Sequence, residues 1–112
     1  MSRVVKVWIG LGFVLATGCR TPAGGEGGPQ VYQSVCATCH GADGTPTAAM
    51  IARLNVRDLS SPEMRKKITP ALVEAQVRKG SSNKLMPSFE GALTDAQIKD
   101  VAEYVASPSF PE

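Results

Sequence analysis

Apolar positions along the chain fall into three regimes. Residues 7–16 form an almost unbroken apolar run, with Val7, Trp8, Ile9, Leu11, Phe13 and Val14 separated only by glycine. Residues 20–28 then contain four glycines and a proline and no large apolar side chain. From Pro29 onward, apolar residues recur at helical spacing. Gly28 as cap and Pro29 at the first helical position predict a helix whose apolar face is Val31, Tyr32 and Val35. Ser61-Pro62-Glu63 predicts a second, short helix capped by Ser61. A third runs from Thr69-Pro70 to Lys79, with Leu72, Ala75 and Gln76 in step and Gly80 as the stop. Thr94-Asp95-Ala96-Gln97 is a capping box, followed by the stripe Ile98, Val101, Ala102 and Val105 and ended by Pro108. No strongly alternating or β-branched strand run occurs, so the expected fold class is all-α.

The first regime reads as a leader. Arg3 and Lys6 precede the apolar run, which is too short to cross a bilayer at about 20 residues but suits an export signal. It ends at Leu15-Ala16-Thr17-Gly18-Cys19, which resembles a bacterial lipobox. The expectation is a signal peptide over residues 1–18, cleaved so that Cys19 becomes the first residue and carries lipid. An ordinary signal peptide cut nearby, leaving Cys19 as a free thiol, is the competing reading. Residues 19–28 are then a flexible tether, with an r.m.s. reach of about 15–18 Å. Residues 29–108 are one domain, small enough that its core needs a staple.

Charge adds a distribution. The chain has 12 Lys and Arg against 10 Asp and Glu, and the surplus of two is Arg3 and Lys6. Between residues 53 and 84, Arg53, Arg57, Arg65, Lys66, Lys67, Arg78, Lys79 and Lys84 outnumber Asp58, Glu63 and Glu74. After residue 84 only Lys99 opposes five carboxylates. Such a separation can orient the molecule on a partner; solvated helix faces explain it equally well. Nothing in it suggests nucleic acid.

The candidate chemistry is Cys36-Ala37-Thr38-Cys39-His40. This is the c-type haem attachment pattern. Positions three apart share a helix face, so both sulfurs can reach adjacent edges of one porphyrin, and the histidine follows at once as the proximal ligand. The chain has three cysteines and one histidine, and the motif uses the histidine and all but Cys19. A structural zinc site wants four ligands, where this segment supplies three. A Cys36–Cys39 disulfide is possible but gives His40 no role. One haem c per chain is the expected cofactor.

A sixth iron ligand must come from another residue type. Met50, Met64 and Met86 follow the motif. Met64 falls in a predicted helix and Met50 in an apolar stretch, where methionine usually fills core. Met86 lies in the irregular stretch Ser81-Ser82-Asn83-Lys84-Leu85-Met86-Pro87, where a loop can turn its side chain inward and Pro87 restricts it to extended backbone. Met86 is favoured over an open site.

These segments together resemble a small bacterial class I cytochrome c over residues 28–106. Gly28-Pro29-Gln30-Val31-Tyr32 is similar to that family's N-terminal helix, and Cys36 to Gly44 to its haem motif and following turn. Met86-Pro87-Ser88-Phe89 resembles its methionine loop, and Leu93 to Val105 with Tyr104 its C-terminal helix. The resemblance implies three to five helices around one covalently bound haem, with the terminal helices crossing where Gly28 or Val31 meets Tyr104. The family usually has a proline whose carbonyl orients the proximal histidine; Pro46 is the candidate near His40, and it comes early.

The implied function is one-electron transfer between larger redox partners, by a monomer held through Cys19 at a membrane and facing the periplasm or the outer cell surface. No catalytic residue is expected. Lys79 and Lys84 are candidates for the rim of the docking surface. Two rivals remain: a fixed electron-relay subunit of a membrane oxidoreductase, and a haem enzyme such as a small peroxidase with an open sixth site.

Overall fold

The computed structural model describes residues 27–112. The expected leader, Cys19 and most of the tether lie outside the described residues. Within them the chain is helical, and its only extended pairing is an isolated bridge between Glu90 and Leu93.

Five helices follow one another. The first, α1, covers residues 28–40 in three pieces: an α-helical turn Gly28–Val31, a π-helical turn Tyr32–Cys36 and a closing α-helical turn Ala37–His40. Then come α2 (Ala48–Leu54), α3 (Pro62–Lys67), α4 (Pro70–Lys79) and α5 (Asp95–Ala106). The predicted caps are in place. The hydroxyls of Ser61 and Thr69 accept from the backbone N–H of Met64 and Leu72, at 3.2 Å each. Thr94 and Gln97 close the capping box at 2.9 and 3.1 Å. At α1 the cap is Gly27, one residue before the expected Gly28, and Pro29 stands second in the helix.

The fold centres on the crossing of α1 with α5. Val31, Tyr32, Ile98, Val101, Ala102 and Val105 are buried. A Cβ on Gly28 would lie 2.6 Å from Tyr104 Cβ and would also collide with the carbonyl oxygen of Asp100. A glycine is therefore required for the two backbones to meet, and Gly28, of the two candidates, makes the expected contact with Tyr104. Beyond the helix, Phe110 is 8 % exposed and packs in the same cluster, outside the 29–108 range that the sequence suggests. Tyr32, Tyr104 and Phe110 meet edge to face, with centroids 5.2–5.8 Å apart. Arg65 fastens this tail. Its guanidinium donates to the carbonyls of Val105 and Ser107 at 2.8 Å and lies 5.0 Å from the Phe110 ring centroid.

Candidate functional site

The π turn in α1 decides which way the motif faces. Ala37 N–H bonds to the Tyr32 carbonyl, five residues back. One extra residue per turn rotates everything after it by about 100° relative to a regular α-helix. Up to the start of the turn, Val31 and Tyr32 enter the core with α5. From its end onward, Cys36, Cys39 and His40 border a large cavity. The Tyr32 hydroxyl, donating to the Gly41 carbonyl at 2.7 Å, ties the start of the turn to the end of the helix.

The cavity has a volume of about 910 Å³, toward the upper end of the roughly 300–1,000 Å³ of small-molecule sites. Its walls come from α1, the 54–59 segment, α3, α4, the 80–89 loop and the buried face of α5. Leu54, Leu72, Val73, Val77, Leu85 and Phe89 are among the apolar residues that line it. Cys36, Cys39, His40 and Met86, the four residues singled out from the sequence, all border this one space. Met64 borders it too; Met50, on α2, does not. Lys79 and Lys84 are exposed but do not line it, whereas Lys67 does.

The side chains on these walls have defined chemical states. Cys36 and Cys39 are free, not joined as a disulfide. Burial, and secondarily the neighbouring Cys39, pushes the Cys36 thiol up to about 11, so it stays protonated and apolar in character. His40 is held below its ordinary value by burial, opposed in part by its hydrogen bond to Arg57. A neutral imidazole is the ligating form. His40 Nδ1 lies 3.1 Å from the Arg57 carbonyl oxygen. A carbonyl can only accept, so Nδ1 carries the proton and Nε2 keeps its lone pair. The carbonyl role considered for Pro46 thus belongs to Arg57; Pro46 is buried, but its carbonyl makes no bond to His40. Sequence reading missed Arg57 because its side chain is irrelevant to the contact. Asn55, in the left-handed region at φ 51° and capping α2, is the local signal that the chain turns back toward the motif there.

Met86 is held from both sides. Its N–H bonds to Ser81 Oγ at 3.0 Å, and its carbonyl accepts from Ser81 N–H at 2.9 Å. Asn83 Oδ1 accepts from Ser81 Oγ at 2.6 Å and from Leu85 N–H at 3.1 Å. Gly80, at φ 72°, lets the loop fold back: a Cβ there would sit 2.6 Å from the Met86 carbonyl oxygen. The sequence marked this stretch as a turn but did not reveal that Ser81 brackets Met86. A large, mainly apolar cavity with two free thiols, a neutral imidazole and a loop-held thioether on its walls fits a haem.

Among the described residues, no group of three or more His, Cys, Asp or Glu side chains converges on a metal-ion site, and no helix is long and apolar enough to cross a membrane.

The comparisons with known proteins point to one family. The family model described as "Cytochrome C oxidase, cbb3-type, subunit III" matches residues 23–105. Cytochrome c6 of Bumilleriopsis filiformis is 33% identical over 84 residues, covering 75% of this chain and 91% of the relative. Cytochrome c6 of Parathermosynechococcus lividus is 33% identical over 78 residues, covering 70% and 83%. Among solved structures, the KustC0563 c-type cytochrome superposes with a TM-score of 0.64 at 28% identity, covering 72% of this chain and 95% of that one.

Proposed function

The chain belongs to the c-type cytochrome family described as cytochrome c oxidase, cbb3-type, subunit III, and on that premise we propose that Cys36 and Cys39 carry its haem, that His40 and Met86 bind the iron, and that the protein relays single electrons between larger redox proteins from a membrane anchor at Cys19. Electron transfer and covalently bound haem c go with the family. The observation that carries the residue assignment is the shared cavity: both thiols, the single histidine and the loop methionine border the same space.

Each residue has a separable task. Cys36 and Cys39 would hold the haem through two thioether bonds, fixing it to α1. Arg57 holds the His40 ring in one tautomer and orientation through its carbonyl. Ser81 and Gly80 hold the backbone of Met86 at the cavity wall, where its thioether would reach the iron. The apolar walls exclude water and favour the less charged metal state. Bound haem supplies an iron that gains and loses one electron, with a potential raised by His/Met ligation. Neither ligand has to move far, because both are fixed by backbone hydrogen bonds.

Anchoring rests on the sequence of residues 1–19, which lie outside the described residues. Export follows the same reading, since the leader and the attachment motif occur together. The family's description as an oxidase subunit favours one alternative, a relay fixed within a membrane oxidoreductase.

Potentiometric titration of the matured protein tests the electron-transfer reading. A single one-electron step with no spectral change on adding peroxide to the oxidised form supports it. Sustained oxidation of a phenolic substrate at the expense of peroxide overturns it in favour of an enzyme. Salt-resistant co-purification with a large membrane complex would assign the fixed-subunit role, and a freely extracted monomer the carrier role.

A further inference from the structure

Arg78 stands in the last turn of α4 with 25% of its side chain exposed. Its guanidinium meets three carboxylates from three segments. Glu74, one turn back on α4, lies at 3.0 Å; Glu90, in the loop, at 3.1 Å; Asp95, the first residue of α5, at 2.8 Å. These partners hold its pKa well above the ordinary arginine value, Asp95 most, then Glu90, then Glu74. The backbone at the same place grips the loop as well. Ser88 Oγ donates to the Arg78 carbonyl at 2.5 Å, and Phe89 N–H to the Val77 carbonyl at 2.9 Å.

Met86 and Pro87 therefore lie between two fastenings. Upstream is the Ser81 pair already described. Downstream are residues 88–90, held to the end of α4 by the backbone of Val77 and Arg78 and by the Arg78 side chain. Isolated exposed ion pairs contribute little, but one planar fork shared by three segments adds geometric specificity that no single pair has.

We infer that Arg78 is a positioning residue for Met86: by holding Glu90 and Asp95 against the end of α4, it fixes the downstream anchor of the methionine loop and limits how far the sulfur swings out of the cavity. The inference rests on the reading of Met86 as iron ligand. An outside ligand binds the iron only in the fraction of molecules whose methionine has left, so its apparent affinity measures that fraction.

The experiment is a titration of the oxidised holoprotein with imidazole at 25 °C, following loss of the weak sulfur-to-iron charge-transfer absorption. R78Q and, separately, the double variant E90Q/D95N should bind imidazole more tightly than wild type, by about 10-fold. R65Q, which releases the C-terminal tail and no part of the methionine loop, should lose stability and keep wild-type imidazole affinity. Wild-type affinity in both R78Q and E90Q/D95N overturns the inference, as does an equal gain in R65Q, which would mean general loosening. M86A separates the two readings. A wild-type protein that lacks the sulfur–iron absorption and binds imidazole as M86A does refutes the ligand assignment itself, and the inference with it.

Discussion

The carbonyl oxygen of Arg57 accepts a hydrogen bond from His40 Nδ1 at 3.1 Å, across 17 residues of sequence. Its position depends on the turn that ends α2, where Asn55 adopts φ 51° and ψ 41°. A hydrogen bond at Nδ1 makes the imidazole a stronger donor at Nε2, which favours ferric iron. Asn55→Gly keeps the turn and should leave the midpoint potential unchanged. Asn55→Val forces a β-branched residue into left-handed backbone, at a cost of about 1–2 kcal/mol, and should raise the potential as the carbonyl shifts. Paired denaturation and redox titrations check both. An unchanged potential in Asn55→Val, with the stability lost, would leave the Arg57 contact without electronic effect.

The helix crossing tolerates no side chain at residue 28. Gly28→Ala places a methyl group 2.6 Å from Tyr104 Cβ, and neither backbone can retreat without disturbing Val31 and Val101. Overpacking of this kind costs about 1–3 kcal/mol. Urea denaturation of the holoprotein should show a fall in that range with an unchanged slope.

Alkaline stability should depend on Tyr32. Its ring is fully buried, at 0% exposure, and burial holds its phenol well above the ordinary value of 10.0. The folded form thus keeps a proton that the unfolded chain releases. Stability is complete below about pH 10 and falls as pH rises toward the folded-state value, at up to about 1.4 kcal/mol per pH unit. Tyr32→Phe should be less stable at neutral pH by about 0.5–1.5 kcal/mol, having lost the bond to Gly41, and should lose most of the alkaline slope. Tyr104, raised by burial as well, leaves a smaller residue of it. Guanidinium denaturation at a series of pH values from 8 to 11 gives both numbers.

Two cations of the basic middle segment are occupied within the fold: Arg65 by backbone carbonyls and Phe110, and Arg78 by its three carboxylates. Lys79 and Lys84 remain exposed near the methionine loop. The double charge reversal K79E/K84E should slow electron exchange with an acidic redox partner several-fold at low ionic strength and lose its effect at high salt. Rapid-mixing kinetics at two salt concentrations check it, and unchanged low-salt rates would make both lysines bystanders.

The helices were legible where local signals fix them. Thr94 with Gln97, Ser61 with Met64, and Thr69 with Leu72 each bond within a single turn, and those caps stand where their residue types suggest. The four candidate site residues could be named because the attachment motif is contiguous and a lone histidine leaves little choice. What escaped depends on distant partners. No local pattern marks the π turn at Tyr32–Cys36, which follows from seating Tyr32 against α5 while the cysteines face the cavity. Helix α2, capped by Thr47, shows in the sequence only as an apolar stretch around Met50. The clasp of Arg65 on Ser107 spans 42 residues, and the bracket of Arg78 on Asp95 spans 17. Charge counting treats both arginines as surface, because it cannot see which segment lies beside them.

Mass spectrometry of the denatured, matured protein tests the proposed thioether links at Cys36 and Cys39 most directly. The expected result is a polypeptide that stays red after acid–acetone extraction, with haem mass retained on the peptide that contains residues 36–40 and lost from that peptide in C36A/C39A. A colourless polypeptide, or haem mass that leaves the wild-type chain on denaturation, would contradict it.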